Sequence, residues 1–474
     1  MQSNSSPRKK TIRPQNKSCP AGGTDHKKLK PRQPTNRTPR GVVITSPSRN
    51  TDIISDMTIL HKGFDTIHLS IKASLTPEFE AYLESEQSRA REDNAPVLGS
   101  YGGVDFHLKH HGGSGYQFLL DGGPDGASWA FKRPHSKDRW GIRIIIGSRF
   151  LALYGLGLAK SHVEDTLAAW GIRFKAEDVS IARVDFCVDV FSPNFTLQSD
   201  NFVMHSRANW REYVTDQDKA VNGKSSRTTS LTIGKMPGRQ VIVYDKRAEV
   251  IARTKTYWWA IWNDTLRRAG LPLLHYDTLR REKQSGSVTP IVSYIDGTDP
   301  YVSYIDATDP NLSRIWRVEF RAGKDYLKDT WGIRTWGQLF DLFGDLVRHT
   351  GEVVRYTAPN GDPNRSRWPN HLLWETVVAE MNDDLTEMRS GADPNPMKEV
   401  HKETHISMIA RQAFGLNINL TALNGVEIDD LPSFFDTTLE DFKDTAQAEP
   451  EDTVKKLQSA KDRYVFLDDA RSVD

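Results

Sequence analysis

The stretch from Ile181 to Val190, IARVDFCVDV, alternates apolar and polar side chains at period two, the pattern of a β-strand. Val184, Phe186, Val188 and Val190 fall on one face, and Arg183, Asp185, Cys187 and Asp189 on the other. A strand so rich in β-branched and aromatic residues belongs in the middle of a sheet. Two carboxylates and a guanidinium on a covered face cost free energy unless they are paired, hold a metal or meet water. The fold must therefore contain a sheet with one apolar face and one charged strip, and the strip marks a candidate site.

Two later segments extend that strip. In Arg239–Glu249, RQVIVYDKRAE, the side chains of Gln240, Ile242, Tyr244 and Lys246 share a face if the strand runs straight. In Arg314–Gly323, RIWRVEFRAG, Arg317, Glu319 and Arg321 lie opposite Trp316, Val318 and Phe320. Together the three strands supply carboxylates for a hard cation, cations for phosphate, and a phenol able to act as a nucleophile.

The net charge of +1 over 474 residues hides a strong asymmetry. Residues 1–50 hold twelve Lys/Arg, one acid and seven prolines, whereas residues 424–474 hold fourteen acids and six bases. Both ends are expected to be disordered, and the basic arm (residues 1–58) suits phosphate attraction or simple solubilisation. The two cysteines, Cys19 and Cys187, imply no disulfide framework. No run of about 18 apolar residues reads as a membrane span, and the N-terminal region has no signal-like apolar core. A soluble protein of a reducing cytoplasm is expected.

The rest of the chain predicts an α+β protein with a largely antiparallel sheet and flanking helices, followed by a helical C-terminal region. Order is expected from Ile59, with a strand over Phe64–Ile71 and a helix over Thr76–Asp93 in which Thr76 is the N-cap and Pro77 the first helical residue. Glycine-joined strands follow, then a strand or two over Arg139–Gly155 and a short helix over Ser161–Gly171. Ser230–Lys235 and Arg239–Lys246 form a hairpin around Pro237-Gly238. Lys246–Gly270 is helical, with Trp258, Trp259, Trp262 and Leu266 packing inward. A tandem duplication, VSYIDGTDP and VSYIDATDP, lengthens a loop and places Tyr294 and Tyr304 as rival phenols. Residues 59–330 read as the α+β domain and 331–424 as helical, with a faint helix-turn-helix over Thr404–Leu423. Residues 425–474 read as an acidic tail.

Absences narrow the chemistry. Gly223–Ser226, GKSS, lacks the upstream glycine of a phosphate-binding loop. His401 and His405 do not form a zinc-protease motif and have no cysteine pair beside them. His107–His111, HLKHH, has no two histidines flanking one hydrophobic residue, the metal pair of many single-strand nickases.

The order ARVDFCVDV, then VIVYDKRAE leading into a helix, then WRVEFR resembles the replication initiation factor family over roughly residues 60–375, with RWPNHLLWE (Arg367–Glu375) similar to a tail seen in its phage and plasmid members. The family includes rolling-circle initiators of plasmids and filamentous phages, and related conjugative relaxases. The resemblance implies strand-specific DNA nicking at an origin, with a tyrosine joined to the 5′-phosphate, a free 3′-hydroxyl and later rejoining. It also implies a divalent cation, Mg²⁺ or Mn²⁺, held by carboxylates. DNA is the expected partner, with host helicase and polymerase beside it and a homodimer as the assembly. A conjugative relaxase, a non-catalytic DNA-binding regulator of the same fold and a metal-dependent ribonuclease are the competing readings.

On this resemblance Tyr244 maps to the nucleophile, with Lys246 stabilising the charge that builds on phosphorus. Asp185 and Glu319, on adjacent strands, are the first metal ligands, with Asp189 third and Asp65 fourth. The alternative for these acids is structural pairing, Asp185 with Arg183 and Glu319 with Arg317. Arg183, Arg317 and Arg321 either hold phosphate or balance the carboxylates. Asp245 reads as a turn or salt-bridge residue, and Glu249 as a group that orients Lys246 or binds metal. Origin recognition is expected from the helical C-terminal part or the loop over 207–229.

Overall fold

The computed structural model describes residues 57–204, 219–224, 227–275, 304–306, 314–381 and 394–467. The basic arm, Tyr294 and most of the duplicated loop lie outside these residues, as do residues 207–218 of the expected recognition loop. In chain order the first half contains β1 (Thr58–Ile71), α1 (Pro77–Glu92), β2 (Val97–Tyr101), β3 (Val104–Leu108), β4 (Phe118–Asp121), β5 (Ala127–Phe131), β6 (Ile142–Ile146), α2 (Ser148–Ala169) and β7 (Val179–Phe191). There follow β8 (Phe202–Met204), β9 (Lys219–Lys224), β10 (Arg227–Gly234), β11 (Arg239–Asp245), α3 (Lys246–Arg253), α4 (Tyr257–Arg268), β12 (Leu273–His275), β13 (Tyr304–Asp306) and β14 (Ile315–Gly323). The C-terminal part holds α5 (Trp336–Val353), β15 (Val354–Tyr356), α6 (Leu372–Glu380), α7 (Pro394–Leu423), α8 (Leu431–Ala448) and α9 (Pro450–Arg463).

Eleven strands form one sheet in the order β2-β3-β4-β5-β6-β1-β7-β14-β11-β10-β9. Every pairing in it is antiparallel. The mixed helix and strand content and the large antiparallel sheet match the expectation from patterning. The strand read first, β7, sits between β1 and β14, where both its faces are covered. Its apolar face meets helices: Phe186 packs edge-on to Phe64, which in turn lies 5.5 Å from Phe343 of α5, and Phe320 of β14 meets Trp374 of α6. At the far end Trp170 stacks on Phe79 of α1 and meets Trp129 and Phe131. Burying each such side chain contributes about 1.5–3 kcal/mol. This core is what holds the charged face in place.

Local signals explain several boundaries. Thr76 caps α1 by accepting from Phe79 N at 3.2 Å, with Pro77 inside the first turn, and Phe79, Leu83, Gln87 and Ala90 turn to the core. Asp245 caps α3 by accepting from Ala248 N at 2.8 Å, which settles its role as a turn residue.

Five expectations are corrected. The strand expected through Gly155 stops at Ile146, and one helix, α2, runs from Ser148 to Ala169. Phe150, Leu151, Leu156, Ala159, Val163 and Leu167 recur at helical spacing across the expected gap, while Gly155, at φ 73°, kinks the helix without ending it. The short helix expected from Ser161 is therefore the second half of a helix that begins at Ser148. The helix expected over Lys246–Gly270 is two, parted at Thr254 in the left-handed region. The helix-turn-helix expected over Thr404–Leu423 is part of one helix, α7. Most of the acidic segment expected to be disordered from residue 425 is helical in α8 and α9. Its composition masks an apolar stripe, Leu431, Phe434 and Phe435 with the buried Thr438, at helical spacing. Residues 219–224 and 227–229 of the expected loop belong to β9 and β10. Among the described residues, no helix is long and apolar enough to cross a membrane.

Candidate active site

Strand register brings the charged strips side by side. Asp185 of β7 pairs with Arg321 of β14, Cys187 with Glu319, and Asp189 with Arg317. Arg317 in turn pairs with Tyr244 of β11. On the other side of β7, Phe64 pairs with Phe186 and Thr66 with Asp185, so Asp65 is the extra residue of a β-bulge. The bulge aims the Asp65 carboxylate at the polar face, which strict alternation from Phe64 also permits but does not single out.

Asp65, Asp185 and Glu319 each offer a carboxylate oxygen within 4.8 Å of the others. Asp185 and Glu319 are buried and Asp65 is partly so. An all-oxygen set of this kind fits a hard divalent ion such as Mg²⁺ or Mn²⁺, which keeps several waters on few protein ligands. The electrostatics agree: burial first, and then the neighbouring Glu319 charge, push the Asp185 carboxyl up to about 7 against the pull of Arg183 and Arg321. Two buried acids this close require a cation or a proton.

Arginines answer the carboxylates in the structure. Arg183 forks onto Asp185 with contacts of 2.5–3.0 Å, and Arg321 Nε donates to Glu319 at 2.7 Å. Both arginines keep about a quarter of their side chain in solvent, at 26% and 28%. The pairing of Asp185 with Arg183 follows the structural alternative, whereas Glu319 takes Arg321 in place of the expected Arg317.

Arg317 is a correction. It is fully buried and faces no open surface, so it is not placed for phosphate. Its Nε and Nη2 donate to Asp189 at 2.5 and 2.8 Å, its Nη1 donates to Asp65 at 2.5 Å, and its guanidinium lies 4.2 Å from the Trp258 ring. Asp189 is the matching correction: it stands outside the carboxylate cluster, clamped by Arg317 and by the Trp262 indole N–H at 2.9 Å. Asp65, not Asp189, lies with Asp185 and Glu319 in the carboxylate cluster. Burial would raise Asp65, but Arg317 and then Lys246 outweigh it and hold the carboxyl down to about 2.

The Tyr244 hydroxyl donates to Glu319 Oε2 at 3.2 Å and accepts from Lys246 Nζ at 3.5 Å. Lys246 is buried, 2.7 Å from Glu249, and lies over both the Tyr244 and Trp258 rings. Glu249 is thus paired with Lys246, and also with Lys255 at 2.9 Å. Burial raises the Tyr244 phenol well above its ordinary range, Arg317 opposing it and Glu319 adding to it. Burial and Arg317 lower Lys246. Cys187 lies between the two aspartates, and burial pushes its thiol up, leaving it unreactive.

Sequence reasoning missed His61, buried edge-on against Trp258 at 5.0 Å with neither ring nitrogen hydrogen-bonded. Trp258 and Trp262 pack inward as expected, but their contacts with Arg317 and Asp189 had no local signal. Tyr304 begins the short strand β13, which pairs in parallel with β12.

No known family model matches the chain, and no curated protein matches it. Among solved structures, the chain is similar to a rolling circle replication initiator protein from Geobacillus stearothermophilus. The alignment covers 71% of this chain and 100% of that one, at 12% identity and a TM-score of 0.34.

Proposed function

We propose that this protein is a metal-dependent DNA strand nickase of the rolling-circle initiator type, with Tyr244 as nucleophile. The observation that carries the reading is the Tyr244 hydroxyl at 3.2 Å from Glu319, a member of the Asp65–Asp185–Glu319 cluster. The motif order ARVDFCVDV, YDK-x-x-E, WRVEFR agrees with it.

In this reading Glu319 accepts the phenolic proton as the Tyr244 oxygen attacks phosphorus. The Oη–P bond forms, the P–O3′ bond breaks, and the 3′-oxygen takes a proton from water. The product is a 5′-phosphotyrosine and a free 3′-hydroxyl, and rejoining runs the same steps in reverse. Lys246 sits beside the attacking oxygen and offsets the charge that gathers on the phosphoryl group. A divalent ion held by Asp65, Asp185 and Glu319 would supply Lewis-acid stabilisation of the phosphoryl oxygens. Arg183 and Arg321, each about a quarter exposed, would meet the phosphate.

The test is covalent capture. The protein is incubated with Mn²⁺ and supercoiled plasmid carrying its own locus, then run under denaturing conditions. The wild type should yield a DNA-linked peptide containing residue 244. Tyr244→Phe should form none while binding the same DNA. A wild type that binds this DNA and never forms the adduct would make the non-catalytic regulator the better reading, and cleavage of RNA without an adduct would favour the ribonuclease.

A further inference from the structure

Along the strands, the carboxylate cluster is sealed in one direction. Towards the start of β1 and the end of β7 the polar face holds Asp189 and Arg317, both fully buried beneath Trp262 and Trp258 of α4. In the other direction Arg183 and Arg321 are partly exposed, and three strand ends meet beyond them. Gly323, the last residue of β14, pairs with Arg183. Lys72, just past β1, donates its amide to the Asp178 carbonyl at 3.0 Å, and Ile181 N of β7 donates to the Arg334 carbonyl at 2.7 Å. Asp178 precedes Asp185 by seven residues, so this end lies about 20 Å from the cluster at about 3.3 Å per residue. Trp140, just before β6, is half-buried here, with two ammonium groups over its ring: Lys72 Nζ at 4.9 Å and Lys328 Nζ at 6.0 Å from the centroid. Lys72, Lys324 and Arg334 are exposed.

Cations gathered on one ring repel each other, and Lys328 feels it. Burial first, then Arg334 and Lys324, lower its ammonium against the pull of Asp329 and Asp325. Among the described residues none of Lys72, Lys324, Lys328 and Arg334 forms an ion pair with a carboxylate. Asp138, beside Trp140 in sequence, is taken by Lys132 at 2.5 Å and by the Trp140 amide at 3.1 Å. The group that answers such a set is an anion with several oxygens. From these contacts we infer that Trp140 sets Lys72 and Lys328 as a seat for a phosphodiester of the DNA strand, remote from the bond that is cut, with Lys324 and Arg334 meeting the flanking phosphates. Trp140 is a positioning residue: its ring attracts both ammonium groups and holds them together against their repulsion. A strand suits the seat better than a lone anion, because Arg183, Arg321 and Lys324 continue the positive charge from the cluster to it. Contacts of this kind read charge and carry no sequence information. The choice of ligand rests on the proposed function, whereas the geometry of the seat does not.

The experiment uses the full chain carrying Tyr244→Phe, without metal, and a labelled oligothymidylate read by fluorescence anisotropy at several salt concentrations. Adding Lys72→Ala and Lys328→Ala together should lower the slope of log K against log salt by roughly 1.4, from about 0.7 per single-strand contact. Trp140→Leu changes no charge, yet it should weaken binding by about 2- to 5-fold for each ammonium it frees. Trp140→Phe keeps a ring and should recover most of that loss. An unchanged slope in the double-lysine variant overturns the seat. So does a Trp140→Leu protein with the parent's far-UV spectrum and the parent's affinity, or a parent that binds no oligothymidylate. Inorganic phosphate that displaces the strand at constant ionic strength from the parent, and not from the double-lysine variant, makes this a lone-anion site and overturns the strand assignment. Covalent capture by the wild type reports on the nicking separately: an adduct without the slope change sinks the seat alone, and the slope change without an adduct sinks the nicking and leaves the seat.

Discussion

Asp185 carries the conflict between stability and use at this site. Its carboxyl is held up to about 7, against an ordinary value of 3.8, so the folded state binds more protons than the unfolded one between those pH values, and stability falls as pH rises through them. Asp185→Asn should therefore stabilise the metal-free protein at pH 8, by at most about 4 kcal/mol at 1.36 kcal/mol per unit, while weakening Mn²⁺ binding. Urea melts in EDTA and a Mn²⁺ titration by calorimetry check the two halves. His61 works in the opposite sense. Burial lowers it from 6.5 to about 4, against the pull of Asp189, so the unfolded state binds the extra proton and stability is lost as pH falls from 6.5 to 4. The wild type should lose on the order of 3 kcal/mol more than His61→Phe over that range. Parallel melts of the two proteins isolate this, because the other ionising groups are common to both. Asp185 and Glu319 were legible because alternation alone puts them on one face. Arg317 was legible as a face but not as a burial, since nothing local to WRVEF reveals that two acids and an indole enclose it.

At the level of elements, the site depends on irregularities that a period-two reading smooths over. Asp65 joins the cluster through a bulge in β1, and a bulge is one extra residue with no composition of its own. Asp189 lost its expected role because α4, which reads as ordinary core, presents Trp262 to it. Trp262→Phe keeps the ring and removes the indole donor. It should cost about 1–3 kcal/mol, the usual cost of a lost hydrogen bond to a buried charge, measured as a shift in urea midpoint at constant slope. The same smoothing explains α2, whose kink at Gly155 reads as a stop, and α8, whose apolar stripe sits inside an acidic run. Helix and strand signals were strongest where the apolar stripe was continuous, as in β7, α1 and the β10–β11 hairpin.

For the whole molecule, charge is distributed so that the ends oppose each other. Twelve Lys/Arg lie in residues 1–50, whereas residues 424–474 hold fourteen acids and six bases. If half of those cations reach phosphate, removing residues 1–56 should reduce the slope of log K against log salt for DNA by roughly 4–5, from 0.7–0.9 per contact, without altering covalent capture. Binding isotherms at several salt concentrations measure it. The path of the eleven-stranded sheet was not legible, because β1 pairs with β6 across more than seventy residues and with β7 across more than a hundred.

The Arg317 guanidinium touches Asp65 on β1, Asp189 on β7 and Trp258 on α4. These contacts tie together stretches of chain made early, midway and late in synthesis. A polypeptide still on the ribosome and short of residue 317 has the acids but lacks the group that sorts them. The arrangement of these charges is thus reached only when the fold is complete.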